Sequence, residues 1–306
     1  PVGLATHTVS KELIWEDRVK QLAKGAGLTE LYTYSFVSRE LCEKAGYSVD
    51  RSLRVQNPLS NDFEFMRTSL LPSILQVVAD NQERFREQQL FEVAHVYLPK
   101  DKDWRDLPDE QLELSAAFFG GNDVWRKAKG FAELVYQECG IKEVVWKRLV
   151  TDPFWHPGRS VQAFHGEHLL GTIGEVHPMI AQKFKLDGRV ALINLPLEEA
   201  FALATSAKTY IPLPSYPEAK RDMALLVDRA VEVQALAEIM KSASTILHSV
   251  EWFDTYVGKG LPADKKSVAF HLVFRLDERT LETSEVDVAM KKIQEHLKKS
   301  FGAETR

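Results

Sequence analysis

NPLSNDFEFMRTSLLPSILQVVADNQERFREQQLFEVAHVYL, Asn57–Leu98, is the stretch on which the reading of this chain turns. Asn57 and Pro58 open a turn, and a polar loop leads to the triplet Arg67-Thr68-Ser69. Pro72 then falls in the first turn of a helix, where its missing N–H leaves nothing unsatisfied. Leu71, Ile74, Leu75 and Val78 recur at helical spacing and give that helix one apolar face. After a charged connection, Leu90–Leu98 alternates Phe91, Val93, His95 and Tyr97 with Leu90, Glu92, Ala94, Val96 and Leu98. Both sets are largely apolar, which predicts a strand covered on both sides and central in its sheet. Loop, helix and buried strand in that order make a platform on which an active site can be built.

Working outward from it, Ser10 is a candidate N-cap for a helix over Lys11–Ala26, with Trp15, Val19, Leu22 and Ala26 at helical spacing and Gly25 and Gly27 as terminators. Leu31–Phe36 is rich in strand formers, a short helix over Ser38–Ala45 stops at Gly46, and Leu53–Gln56 reads as a strand. Downstream, Pro99–Gln111 is charged, holds two prolines and reads as an exposed excursion. Strands are expected at Leu112–Phe119, Val144–Leu149, Ser160–His165, His168–Ile173 and Val190–Leu197. Helices are expected at Gly130–Glu138 (Phe131, Leu134 and Val135 inward), Pro178–Phe184 and Glu198–Ala204.

Residues 205–214, with Pro212 and Pro214, are the candidate linker, because proline restricts its own φ and the residue before it. Beyond them the order changes to strand Asp222–Val227, helix Val231–Ser242, strands Val250–Val257 and Ser267–Leu276, helix Ser284–Leu297 and a terminal segment Ala303–Arg306. That βαββαβ order is the ferredoxin-like unit. Ser284 and Asp287 approximate a capping box for its last helix, whose buried stripe is Val286, Met290, Ile293 and Leu297.

Composition limits the function classes. A length of 306 residues fits about two domains, and 44% hydrophobic residues suffice for ordinary cores. No run approaches the roughly 20 apolar residues of a membrane helix, and PVGLATHTVSKEL carries no secretory signal. The first residue is Pro1 and not Met, which points to missing upstream residues. Cys42 and Cys139 are far apart and lack CxxC spacing, as reduced, buried thiols do. A net charge of −5 argues against a protein held to nucleic acid by bulk charge, though a local basic patch remains open.

Catalytic signatures are missing. There is no phosphate-binding GxxxxGK[ST] loop, no GxGxxG, GxSxG or HExxH. His165-x-x-His168 has no neighbouring ligands, so no metal site is expected. In WHPGR (Trp155–Arg159) a Pro-Gly tight turn would be flanked by His156 and Arg159, with Arg159 either functional or tying the turn to a carboxylate. Glu175 and His177 read either as an acid/base pair or as strand-end residues. Arg67 either reaches a partner or vestigial pocket, or bonds a local carboxylate such as Asp62 or Glu64.

Several separate segments carry a family resemblance. MRTSLLPSIL (Met66–Leu75), LFEVAHVY (Leu90–Tyr97), HPGRS (His156–Ser160) and IGEVHP (Ile173–Pro178) resemble the β subunit of bacterial phenylalanyl-tRNA synthetase. LPSYPEAKRDMALLVD (Leu213–Asp228), WFDTYVG (Trp252–Gly258), KSVAFHLVF (Lys266–Phe274) and ERTL (Glu278–Leu281) resemble that family's anticodon-binding domain. The resemblance runs through nearly the whole chain in the family's order, and covers only the C-terminal half of such a subunit. It implies an α+β architecture: a class II aminoacyl-tRNA synthetase-like antiparallel sheet with flanking helices over residues 1–204, a linker over 205–214 and the ferredoxin-like anticodon-binding domain over 215–306.

The resemblance also implies a division of labour. The catalytic α subunit, a separate chain, binds ATP with Mg and phenylalanine, in an (αβ)₂ cytoplasmic enzyme that charges tRNA(Phe). A working class II site places an Arg on the strand after its second motif and another at the end of a Gly-rich strand, to hold the nucleotide phosphates. FEVAHVY and GTIGEVHP (Gly171–Pro178) have no such Arg. The implied role is therefore non-catalytic, with no cofactor on this chain and with Arg67, His156 and Arg159 at an interface or vestigial pocket. On the open face of the ferredoxin-like sheet, Ser267, Ala269, His271 and Arg275 would face out toward single-stranded RNA, and Lys220, Arg221, Lys265 and Lys266, at the strand entrances, would meet its phosphates. Residues 215–306 hold 14 Lys and Arg against 15 Asp and Glu, so that domain is not basic overall. A competing reading is a stand-alone RNA-binding or assembly module built on the same folds.

Overall fold

The Leu13 N–H donates to Ser10 Oγ over 3.2 Å and starts α1, Lys11–Gly25, which buries Trp15, Val19 and Ala23. The computed structural model describes residues 9–100, 107–149, 151–210 and 212–305. It separates into two units, Pro1–Lys208 and Thr209–Arg306.

In the first unit α1 is followed by β1 (Thr29–Glu30), β2 (Phe36–Val37), α2 (Arg39–Lys44), β3 (Phe65–Met66), α3 (Leu71–Asn81), β4 (Gln88–Leu98) and β5 (Asp109–Phe119). Then come α4 (Val124–Glu138), β6 (Val145–Arg148), β7 (Trp155–His165), β8 (His168–Val176), α5 (Pro178–Lys183), β9 (Val190–Pro196) and α6 (Leu197–Leu203). Seven strands form one sheet in the order β1-β4-β5-β9-β8-β7-β6, antiparallel except for the β1–β4 pair. Period-two alternation sorts its side chains. Phe91, Val93, Leu114, Phe118, Ile193 and Leu195 join α1, α4 and α6 in one core. Ala117, Phe119, Val190 and Leu192 meet α3 and α5 in a second. Leu71, Ile74, Leu75 and Val78 are the stripe that α3 buries there, as their spacing predicts. Each such side chain contributes about 1.5–3 kcal/mol when fully buried.

Several elements depart from expectation. β4 lies second in the sheet, next to the two-residue β1, and is not central. The strand expected over Leu31–Phe36 is reduced to its last residue in β2, because Thr33 leaves the ladder: its N–H and hydroxyl donate to the Glu92 carboxylate, at 3.1 and 2.7 Å. Leu53–Gln56 keeps only an isolated bridge between Arg54 and Phe65. α4 begins at Val124, ahead of Gly130. β5 begins at Asp109, so the excursion expected over 99–111 is shorter, and 101–106 lie outside the described residues. Pro157 and Gly158 make no tight turn; they sit in an irregular run of β7 between the register pairs of Trp155 and Ser160. Cys42 and Cys139 are free and buried, and burial pushes both thiols up to about 11.

The second unit holds β10 (Ala219–Asp228), α7 (Val233–Ala243), β11 (Leu247–Tyr256), β12 (Lys265–Phe274), α8 (Thr283–Phe301) and β13 (Glu304–Thr305). Its sheet order, β11-β12-β10-β13, with two helices on one face, is the ferredoxin-like arrangement. Val286, Ile293 and Leu297 of α8 are buried as expected. The cap lies two residues earlier than Ser284 and Asp287. Glu282 is the N-cap, and its N–H donates to Glu285 Oε2 over 2.9 Å. Arg279 forks onto the same carboxylate at 2.7 and 2.6 Å, which fixes Glu285 for that role. Gly302, at φ 60°, supplies the left-handed C-terminal residue.

Candidate nucleic-acid interface

Pairing in the second unit decides which side chains face outward. Asp222 is opposite His271, Ala224 opposite Ala269 and Leu226 opposite Ser267. Met223, Leu225, Val227, Val268, Phe270, Leu272 and Phe274 form the core under α7 and α8. The alternate set, including Lys220, Asp222, Lys265, His271 and Arg275, therefore lies on the helix-free face.

An extra residue in β11 adds an aromatic to that face. The register shifts between Trp252, opposite Phe270, and Asp254, opposite Ala269. A bulge of this kind re-aims a side chain. Phe253 is the inserted residue, and its ring stacks on His271 with centroids 3.9 Å apart and planes 11° apart. His271 Nδ1 lies 2.7 Å from Asp222 Oδ1, which holds the imidazole flat beneath the phenyl ring. Tyr256, opposite Ser267, continues the strip, and its hydroxyl donates to Lys259 O over 3.1 Å. Phe253 and Tyr256 are 48% and 45% exposed, a level at which the aromatic faces remain available to a partner. Trp252 is tied back instead, its indole N–H donating to Asp254 O and Thr255 Oγ1.

The expected cations divide between the two faces. Lys220 is exposed and makes no ion pair among the described residues. Lys265 lies on the open face and pairs with Asp228 at 2.7 Å, an interaction that raises its pKa. Arg275 is flanked by Glu218 and Asp277 at 3.6 and 3.3 Å. Arg221 and Lys266 fall on the helix side. Arg221 lies 3.9 Å from Asp287 of α8, and Lys266 Nζ donates to Val231 O over 2.5 Å, with burial lowering its pKa. Strand parity is the reason: each is one residue out of phase with the open face. Phe253 and Tyr256 escaped the sequence reading. Their only signal was WFDTY, an aromatic run too dense for simple alternation.

In the first unit Arg67 is 3% exposed and does not use Asp62 or Glu64. Glu64 pairs with Arg54 at 2.8 Å. Arg67 Nη1 donates to Glu92 Oε1 at 3.1 Å and to Thr33 O at 3.2 Å, and its Nε donates to His95 O at 2.9 Å. It clamps the segment before β2 to β4. Arg159 Nε lies 3.1 Å from Glu175 Oε2, and its Nη2 lies 2.7 Å from His156 Nε2. Arg189 also holds Glu175. Glu175 is thus a buried structural carboxylate, while His177 accepts the Met179 N–H at 3.2 Å and caps α5. His165 and His168 go to Lys142 O and Glu199, and no group of metal-ligating side chains occurs among the described residues.

The family model "Phenylalanyl tRNA synthetase beta chain CLM domain" matches residues 1–197, and "Ferredoxin-fold anticodon binding domain" matches 214–306. The chain belongs to the phenylalanyl-tRNA synthetase beta-chain family. The phenylalanine–tRNA ligase beta subunit of Clostridium tetani is 35% identical over 297 residues, covering 95% of this chain and 37% of that protein. The corresponding subunit of Carboxydothermus hydrogenoformans is 33% identical, covering all of this chain and 40% of that protein. The chain therefore spans about two-fifths of the length of these relatives. Pyrrolysyl-tRNA synthetase from Desulfitobacterium hafniense aligns with a TM-score of 0.53 at 13% identity, over 63% of this chain and 68% of that one. At that identity the likeness is one of fold. It accords with the expected α+β architecture, a class II synthetase-like sheet followed by a ferredoxin-like domain.

Proposed function

We propose that this chain is part of the β subunit of a phenylalanine–tRNA ligase. It supports the catalytic α subunit in an (αβ)₂ cytoplasmic assembly and receives the anticodon of tRNA(Phe) on the open face of its second unit. ATP and Mg belong to the α subunit. The observation that carries the reading is the exposed Phe253–His271 stack with Tyr256 beside it, on a sheet face that no helix covers. Unstacked bases lie on such aromatic faces whatever their sequence. No helix among the described residues is long and apolar enough to cross a membrane, and the reading includes no membrane role.

The first unit does not fit a nucleotide. Where a triphosphate would need cations, the sheet presents Glu92 and Glu113, and its buried guanidinium, Arg67, is already engaged by Glu92. Phosphate charge on that face would meet carboxylates in a poorly solvated setting. Over the other half of the same face, α3, α5, Phe154 and Trp155 fill the space with apolar side chains. These features support a scaffold.

Co-expression with the matching α chain tests both halves of the reading. The complex is expected to charge tRNA(Phe), and this chain alone is expected to show no phenylalanine-dependent ATP–pyrophosphate exchange. Deleting 213–306 is expected to abolish charging while the α–β contact survives. Unchanged charging after that deletion would reject the anticodon role, and exchange by the isolated chain would reject the scaffold role.

A further inference from the structure

On the α3 side of the first sheet, two cross-strand rows run next to each other. Leu90, Ala117, Leu192 and Gly174 are successive neighbours, and the layer of α3 and α5 lies on that end of the sheet. Two residues along, the row is Glu92, Ser115, Asn194, Thr172 and Gln162, polar on five consecutive strands. Glu113 follows Ser115 on the same face of β5, between Ala94 and Pro196. A sheet face that served packing alone would continue the apolar row. Asn194, Thr172 and Gln162 are half-buried, so the polar row borders solvent.

Within it, Glu92 is satisfied by Arg67 and Thr33, and Ser115 Oγ lies 3.5 Å from Asn194 Oδ1. Glu113 is only partly satisfied, with Asn194 and the Leu70 N–H reaching its carboxyl. It is 6% exposed, and its Oε2 is buried with no hydrogen-bond partner. As a carboxylate that oxygen needs a donor; as an acid its O–H needs an acceptor. Neither is supplied.

We propose that this polar row is a binding site for a small primary ammonium ligand, whose three N–H groups meet Glu113 Oε2 at the buried end and two of the oxygens that Ser115, Asn194 and Thr172 offer along the row. An ammonium brings three donors and one positive charge in a compact head. An anion is disfavoured by Glu92 and Glu113, a quaternary amine brings no donor, and the described residues form no metal-ligating group. Burial holds the Glu113 carboxyl up at about 7, against the pull of Asn194, the Leu70 N–H and Arg67. An arriving cation would shift that balance toward the ionised form. The inference stands apart from the anticodon reading, since its site and its test involve neither tRNA nor the α subunit.

The test is carboxyl NMR on the 306-residue chain with ¹³C-labelled glutamate, titrated with n-butylammonium and, as controls, n-butanol and tetramethylammonium. Butylammonium is expected to shift Glu113 saturably and to lower its midpoint by about one unit, a tenfold fall in proton affinity. Neither control should do so, and Glu113→Gln should remove the saturable binding. Should that variant fail to fold, the wild-type titration stands alone, and Thr172→Val at the mouth of the row is expected to weaken binding several-fold. A Glu113 midpoint unmoved by butylammonium, a shift that never saturates, or equal binding by Glu113→Gln overturns the proposal.

Discussion

Arg67 and Glu92 show how far a buried charge must look for its partner. Asp62 and Glu64 are near Arg67 in sequence, yet both face solvent-side partners in their own loop, Ser60 and Arg54. Glu92 is 25 residues away and stands 3.1 Å from the guanidinium. Its signal was present in FEVAHVY, where one carboxylate interrupts an apolar strand with no cation in the same run. Removing one member of such a pair is costly because the other charge stays buried. Glu113, on the neighbouring strand, has a different effect on stability. Burial raises its pKa from 4.5 to about 7. The folded state therefore holds this proton over a pH range in which the unfolded chain has lost it, and stability falls as pH rises from 4.5 to 7. The loss amounts to at most about 3 kcal/mol. Urea denaturation at pH 5 and pH 7.5 should show wild type losing more stability across that interval than Glu113→Gln, whose side chain does not titrate. Equal losses in the two proteins would mean that Glu113 ionises normally.

At the scale of elements, β11 matters most for the proposed function. Its bulge puts Phe253 over His271, and Asp222 on β10 anchors the imidazole from the other side. Three strands thus combine to present one aromatic plate. The expected consequence of Phe253→Ala is a tRNA KM raised about tenfold with kcat unchanged, since a base–aromatic stack is worth roughly 1–3 kcal/mol. Aminoacylation kinetics of the reconstituted αβ enzyme measure it, and an unaltered KM would remove the plate from the tRNA site. Much of this unit was legible beforehand. Its order of elements and the stripe of α8 follow from hydrophobic period, and the inward set Val268, Phe270, Leu272 and Phe274 follows from alternation. The bulge was not legible, because one inserted residue is invisible to a period-two pattern until the neighbouring strand fixes the register. Arg221 and Lys266, read as strand-entrance cations, show a related limit. Position at a strand's entrance says little about face, and a shift of one residue turns the side chain to the helices. In the first unit the strand signal of Leu31–Phe36 gave way to Thr33, whose contacts with Glu92 and Arg67 join residues 59 and 34 positions apart.

At the scale of the whole chain, charge limits how the proposed tRNA ligand can be held. The net charge is −5, and residues 215–306 are close to neutral, with 14 basic and 15 acidic side chains. The open face offers Lys220, Lys265 and Arg275, and the last two already face Asp228, Glu218 and Asp277. Each phosphate met by Lys265 or Arg275 must compete with a carboxylate in place. Under the proposed function, stacking and the partner subunit, rather than counterion release, must then supply most of the affinity. For a single-stranded target the salt slope is about −0.7 per phosphate neutralised, so three contacts at most give a slope no steeper than about −2. Fluorescence anisotropy of an anticodon stem-loop on this chain, over about 50–300 mM KCl, measures that slope. Lys220→Ala should flatten it by roughly one phosphate's worth, whereas Arg221→Ala and Lys266→Ala should leave it unchanged, because their side chains point to the helix side of the sheet. A slope near −5, or equal effects of all three substitutions, would show that the phosphates run over the helix face and that the open sheet is not where the RNA lies.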